Sequence, residues 1–341
     1  MSRPKSSVTI LDVARLAGVS PASVSKVLND RPGVSKKTRS AVLDAIEKLN
    51  YQTNHIARSL RMNRSFSVGV ITDDIEGVFT TTLVRGIEDS VREWGINVFL
   101  CNSYGKVELE RDNIEALLAK QVDGLILMNG FKVTGRGLPA APTGHIPVVY
   151  LYQYSDSPTI PAVIPDDVQG ARLAVEHLTS LGHRRIGVVG GPLNYEAVNK
   201  RLEGYRQVLD EQGIAFDPHL VLFGEWTQAE GYRLTRQLLE LPEPPTAIFT
   251  MSDLTAIGVA HAIVEKGLRI PVDISLTGFD NRFFSRNQLP PLTTVELPLY
   301  EMGKKAGELL HASIAGEAPP PQRHVIPCRL VLRESTAPPR K

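Results

Sequence analysis

The run Ser20-Pro21-Ala22-Ser23-Val24-Ser25-Lys26 places small hydroxyl side chains beside one ammonium group. A lysine in such a setting can donate to O6 and N7 of guanine, whereas Ala22 offers only apolar contact, for example with a thymine methyl, and Pro21 has no donor. Ser20, Ser23 and Ser25, with Thr9, Asn29 and Tyr51 nearby in the chain, suit phosphate oxygens, which position a protein without specifying a base. Charge agrees with this chemistry. Residues 1–64 hold 12 Lys and Arg against 4 Asp and Glu, while the whole 341-residue chain is only +1. A basic head on an acidic body points the head toward a polyanion.

The elements that would position these groups are three short helices. The first opens at Thr9, with Asp12 three residues on as a capping box, and Ile10, Val13, Ala14 and Ala17 form its apolar face. Gly18 ends it. Ser20 is an N-cap for the second helix, Pro21 suits its first position, and Val24, Val27 and Leu28 face inward. Asn29 to Gly33 reads as a loop, and a third helix spans about 35–50 with Val42, Ile46 and Leu49 on one face. Two short helices joined by a tight turn and steadied by a third describe a helix-turn-helix, whose second helix enters the major groove with its N-terminal residues nearest the bases.

From residue 66 onward, apolar runs alternate with amphipathic stretches. Strands are expected at 65–72, 96–102, 122–128 and 147–152, and again at 184–191, 220–225, 246–251 and 274–279. Helical patterns such as 83–95 and 170–182 fall between them. Two such sets predict two lobes of parallel sheet covered by helices on both faces, with the ligand cleft between the lobes at the carboxyl ends of the strands.

Catalysis is not signalled. The eight histidines form no cluster, Cys101 and Cys328 read as buried thiols, and neither a nucleotide fingerprint nor metal-ligand spacing occurs. No cofactor and no enzymatic activity are expected. No apolar run is long enough to span a membrane and the N-terminus lacks a signal-peptide pattern, so no membrane partner and a cytoplasmic, nucleoid-associated location are expected.

The stretch TILDVARLAGVSPASVSKVLN (9–29) resembles the N-terminal signature of the LacI/GalR family, and NHIARSLRMNRS (54–65) resembles its hinge. GHRRIGVVGGP (182–192), PTAIFTMSD (245–253), DISLTGFDN (273–281) and PPLTTVELP (290–298) extend the resemblance to about residue 335. It implies a small all-α helix-turn-helix domain (8–53), a hinge (54–65) and an α/β two-lobed body like the periplasmic sugar-binding proteins (66–336). The lobes are expected at about 66–162 with 292–324, and at 163–291 with 325–336, joined by crossings near 160–166, 290–295 and 323–329.

The resemblance also implies roles. Pro21, Ala22 and Lys26 become the main base readers. Ala57, Arg58 and Leu60 belong to a helix that folds on the operator, with paired Leu60 side chains wedged into the minor groove and Arg58 or Arg61 on phosphates. In the body, Arg201 and Asp280 match family effector contacts, and Trp226 matches an aromatic platform. Phe79 would line the cleft from the other lobe, with Tyr152, Tyr195 and Asp253 as further contacts. His183, in LGHRRIG, falls in a structural motif and reads as a turn residue. Tyr195 and Ala197 stand where purine-responsive members carry an arginine and a threonine, so the resemblance implies a sugar rather than a purine. Pro165-Asp166 replaces the usual Asp-Asn after the first crossing. The end of the chain, APPRK, shows no leucine heptad, so a homodimer on a palindromic double-stranded operator is expected. The alternative is a sugar-binding protein without operator activity.

Overall fold

The computed structural model describes residues 8–28, 32–51, 64–128, 143–152, 160–317 and 322–340. Asn29, Ala57, Arg58, Leu60 and Arg61 lie outside the described residues. The chain separates into two compact units, Met1–Ser65 and Phe66–Lys341.

In the first unit, α1 (Ile10–Ala17), α2 (Pro21–Leu28) and α3 (Lys36–Leu49) surround a small core. Val13, Ala14, Val24, Val27, Val42 and Ala45 are buried there, with Ile10, Leu28, Ile46, Leu49 and Tyr51 packed around them. The capping box forms: Asp12 N donates to the Thr9 hydroxyl, and Thr9 N donates to the Asp12 carboxylate at 2.9 Å. Gly18 closes α1 at φ 66°, the left-handed conformation that a helix end favours. Ser23 N donates to Ser20 Oγ at 3.1 Å, so Ser20 caps α2.

The second unit holds two six-stranded sheets. Strands β1 (Ser67–Thr72), β2 (Asn97–Asn102), β3 (Gly124–Met128), β4 (Val148–Leu151), β5 (Ala162–Pro165) and β11 (Arg323–Ile326) form the first, in the order β11-β5-β4-β3-β1-β2. Every pairing in it is parallel. Strands β6 (Ile186–Gly190), β7 (Val221–Phe223), β8 (Ala247–Thr250), β9 (Ser275–Asp280), β10 (Thr293–Glu296) and β12 (Arg329–Val331) form the second, in the order β12-β10-β9-β8-β6-β7. Only β12 runs antiparallel there. The central strands are buried on both faces, which is why they read as unbroken apolar runs rather than as alternation.

Helices α4 (Thr80–Arg92) and α5 (Val107–Ala119) cover the first sheet, joined by α10 (Leu299–Ile314) from far along the chain. Helices α6 (Asp167–Ser180), α7 (Glu196–Glu211), α8 (Gln228–Leu239) and α9 (Asp253–Glu265) cover the second. α4 and α10 touch backbone to backbone. A Cβ on Gly303 would stand 2.0 Å from the Leu83 carbonyl oxygen, and one on Gly86 2.2 Å from that of Tyr300.

The lobe boundaries differ from those expected at 162/163 and 291/292. β5 stays in the first sheet to Pro165, and β10 stays in the second sheet to Glu296 before α10 returns to the first. The reason is register. Thr293 pairs with Thr277 and Glu296 with Asp280, so the stretch read as a crossing continues the second sheet. The third crossing lies between β11 and β12. Among the described residues, no helix is long and apolar enough to cross a membrane.

Candidate functional site

Loops at the carboxyl ends of both sheets enclose a cleft of about 600 Å3. Its position follows from the topology, because parallel strands send their following loops to one edge. From the first sheet come the β1–α4 loop with Phe79, the turn after β2 with Tyr104, and Tyr152 after β4. From the second come Asp167 on α6, Tyr195 and Arg201 at the start of α7, Trp226 after β7, Ser252 before α9, and Asp280 with Arg282 at the end of β9. Phe79 and Tyr152 pack against the cores of both sheets.

The floor is a charge network. Arg201 is 3% exposed, and its Nε donates to Asp167 Oδ1 at 2.6 Å. Another of its nitrogens donates to the Met251 carbonyl at 2.5 Å, and the guanidinium lies over the Phe279 ring at 3.7 Å. Asp280 Oδ1 is 4.0 Å away, and Asp280 Oδ2 accepts from the Ser252 hydroxyl at 3.1 Å. Arg282 Nε stands 3.4 Å from the same Asp280 oxygen. Burial works against the charge on Arg201, but the neighbouring Asp167 and Asp280 carboxylates outweigh it and hold the guanidinium ionised. Burial pushes Asp280 up, opposed by Arg201 and Arg282.

Aromatic rings form the walls. Phe79 and Tyr152 have centroids 5.7 Å apart. Tyr195 meets Trp226 edge to face at 6.0 Å. Trp226 sits directly over Gly191, where a Cβ would come within 2.2 Å of the ring. Tyr152, Asp280 and Asn281 have φ of 59°, 115° and 53°. Such backbone is uncommon for residues other than glycine and concentrates at binding sites.

Six of the seven body residues singled out in the sequence thus meet in one cleft: Phe79, Tyr152, Tyr195, Arg201, Trp226 and Asp280. Asp253 does not line it. Its carboxylate is fully buried behind the wall, accepting from the backbone N–H of Arg282 at 2.8 Å and from the Thr294 hydroxyl at 2.5 Å. Burial, reinforced by the Asp280 charge, pushes it up to about 7. Asp167, Ser252 and Arg282 went unnoticed in the sequence. Asp166 at the first crossing caps α6 by accepting from Gln169 N at 2.9 Å, and the next residue, Asp167, reaches Arg201. The two adjacent acids at a helix start were the signal available.

In the first unit, Pro21, Ala22 and Lys26 lie exposed on α2, and Ser23 and Ser25 are half-buried. Thr9 and Ser20 spend their hydroxyls on caps, and half-buried Tyr51 packs on the small core. His183 is buried in the second unit between Thr246 at 2.9 Å and Ser275 at 3.0 Å, and also contacts the Ala337 carbonyl. Burial depresses its pKa, and its bonds tie the C-terminal segment to β9. Cys328 is buried and Cys101 half-buried. Among the described residues, no group of three or more His, Cys, Asp and Glu is placed to hold a metal ion.

Residues 9–54 match the family model for bacterial regulatory proteins of the lacI family, and residues 175–336 match a periplasmic binding protein-like domain. The chain is 38% identical over 331 residues to catabolite control protein A of Priestia megaterium, covering 96% of this chain and 99% of that one. It is 38% identical over 330 residues to the ribose operon repressor of Halalkalibacterium halodurans, covering 96% and 97%. Among solved structures, the lac repressor dimer bound to operator and the anti-inducer ONPF superposes with a TM-score of 0.80 at 31% identity, covering 97% of this chain and all of that one. A LacI family regulator from Enterococcus faecium with bound ribose gives a TM-score of 0.67 at 30% identity over 80% of this chain and 100% of that chain. With a helix-turn-helix at its N-terminus, a two-lobed body and full-length relatives at this identity, the chain belongs to the LacI family of bacterial regulatory proteins and is a DNA-binding transcriptional regulator.

Proposed function

We propose that this regulator is a repressor. It binds a palindromic double-stranded operator as a homodimer, and a sugar or sugar derivative in the cleft sets its hold on the DNA. The observation that carries the effector half is the joining of aromatic walls to a floor of ionised donors and acceptors between two lobes. Such a site grips a polyol by stacking on its apolar face and hydrogen-bonding its hydroxyls. Arg201, Asp280 and Trp226 are the principal contacts, with Phe79, Tyr152 and Tyr195 closing the sides and Asp253 holding the Arg282 backbone in place. Two similar proteins support the pairing of partners: one solved structure holds operator and anti-inducer, and another holds ribose.

In the head, Lys26 reads base edges with help from Pro21 and Ala22, while Ser23 and Ser25 meet phosphates. Residues 8–53 act as the DNA-binding domain, 54–65 as the hinge that carries Ala57, Arg58 and Leu60 to the minor groove, and 66–336 as the sensor and dimerisation body. The effector favours one placement of the lobes, and its differential affinity for the two placements carries the signal. The protein turns over no substrate, needs no cofactor and works in the cytoplasm.

Selection from a random DNA pool with the full-length protein, with and without a sugar library, tests this. An inverted repeat whose recovery changes with one sugar is the expected result. Absence of any sequence preference at modest salt defeats the operator half and favours a sugar-binding protein instead.

A further inference from the structure

Six carboxylates line the described part of the cleft: Asp73, Asp74, Glu76, Asp167, Glu196 and Asp280. Against them stand two guanidiniums, Arg201 and Arg282. Each guanidinium is already paired with an aspartate. Arg201 donates to Asp167 at 2.6 Å and to the Met251 carbonyl, and its flat face is covered by Phe279. Arg282 is ion-paired with Asp280 at 3.4 Å, its buried Nε making no hydrogen bond, and the Phe79 ring lies 5.2 Å from its guanidinium carbon. Drawing Arg201 away to a phosphate or carboxylate would leave fully buried Asp167 without its counter-charge, which is strongly unfavourable.

Toward the mouth the balance is more acidic. Exposed Asp74 and Glu76 lie on the β1–α4 loop, and Glu196 faces them from the start of α7. Tyr104, Tyr195 and Trp226 stand among these acids. Aromatic faces beside carboxylates attract a cation and repel an anion.

We infer that the effector carries no anionic group, and that the cleft prefers an amine-bearing sugar to its neutral parent. This rests on the reading of the cleft as the effector site, and it narrows the chemistry of that ligand. Phosphorylated sugars and uronic acids are excluded by charge even where their ring would fit.

The test uses the full-length protein at low salt. Glucose, galactose and mannose are each supplied as the neutral sugar, the 2-amino sugar, the 6-phosphate and the uronate. Thermal shift identifies the scaffold that binds, and calorimetry gives Kd for its four forms. On that scaffold the amino form is expected to bind about tenfold tighter than the neutral sugar, with the gap shrinking in 0.5 M salt, and both anionic forms at least tenfold weaker. The double variant Asp74→Asn with Glu76→Gln keeps the turn and removes two charges. It should narrow the gap between amino and neutral forms severalfold. An anionic form that binds as well as its neutral parent overturns the inference, as does a gap that the double variant leaves unaltered. If none of the twelve compounds shifts the melting temperature, the preference for an amino sugar on these scaffolds is overturned, while the effector reading beneath it stands or falls by the operator selection with the sugar library.

Discussion

Asp167 and Arg201 meet at 2.6 Å, from different helices, with their side chains 0% and 3% exposed. A buried pair of this kind adds little net stability over an apolar pair of the same shape, yet removing one partner is costly, because the other charge is left without compensation. Asp167→Ala should therefore lower the unfolding free energy of the body by about 3–5 kcal/mol. Asp167→Leu combined with Arg201→Met should recover part of that loss. Denaturant unfolding of the three proteins decides it. A double variant still less stable than Asp167→Ala, by the separate cost of losing Arg201, would mean that the two charges are not energetically coupled.

Trp226 depends on the missing side chain at Gly191. Gly191→Ala would drive a methyl into the indole and force the ring to move. The chain has two tryptophans, so Trp94→Phe leaves Trp226 as the sole emitter. In that background, Gly191→Ala should shift the emission maximum and weaken effector binding at least tenfold, a cost of ~1.4 kcal/mol or more. Unaltered emission would show that the ring does not rest where the close contact puts it.

Asp253 makes the body sensitive to pH. Folded, it keeps its proton up to about 7, whereas the ordinary value is 3.8. The folded state thus binds the proton more tightly, and this contribution is complete below about 3.8 and lost as pH rises to about 7. Asp280, also raised by burial, titrates with it and adds the same sign. Asp253→Asn can still accept from Arg282 N and can donate to Thr294. Between pH 5 and 8 its melting temperature should fall less than that of the unaltered protein. Parallel curves would remove Asp253 as the source.

Lys26 is the one exposed side-chain donor among the three proposed base readers on α2. Lys26→Ala should reduce affinity for the selected operator by about 1–3 kcal/mol and relax preference at a single base-pair position. Equal weakening on every sequence, with a shallower salt slope, would place the ammonium on a phosphate instead.

The elements most legible in the sequence were those whose signal is local. β1, β3, β6 and β8 are apolar on both faces, and α1 and α2 carry their own caps. β5, β10 and β11 have four residues each and no periodicity of their own. Their membership is fixed by partners far along the chain, as when β11 pairs with β5. The site divides in the same way. Arg201 and Trp226 stood out because of the motifs around them. Asp253 looked equally promising, but its orientation is settled by Thr294, 41 residues later. Asp167 was hidden by the adjacent Asp166, whose helix-capping role only the backbone reveals.

The chain passes between its two sheets at three places: after β5, after β10 and after β11. Each connection is short, from Pro165 to Asp167, from Glu296 to Leu299 and from Ile326 to Arg329. Three short tethers side by side suppress sliding and separation of the sheets and leave rocking as the soft degree of freedom. Because the ligand-facing loops of both sheets lie on one side of that axis, the thickness of whatever sits between them becomes an angle. The backbone contact of α4 with α10 ties two helices of the first sheet together, so that arm would rock as one piece.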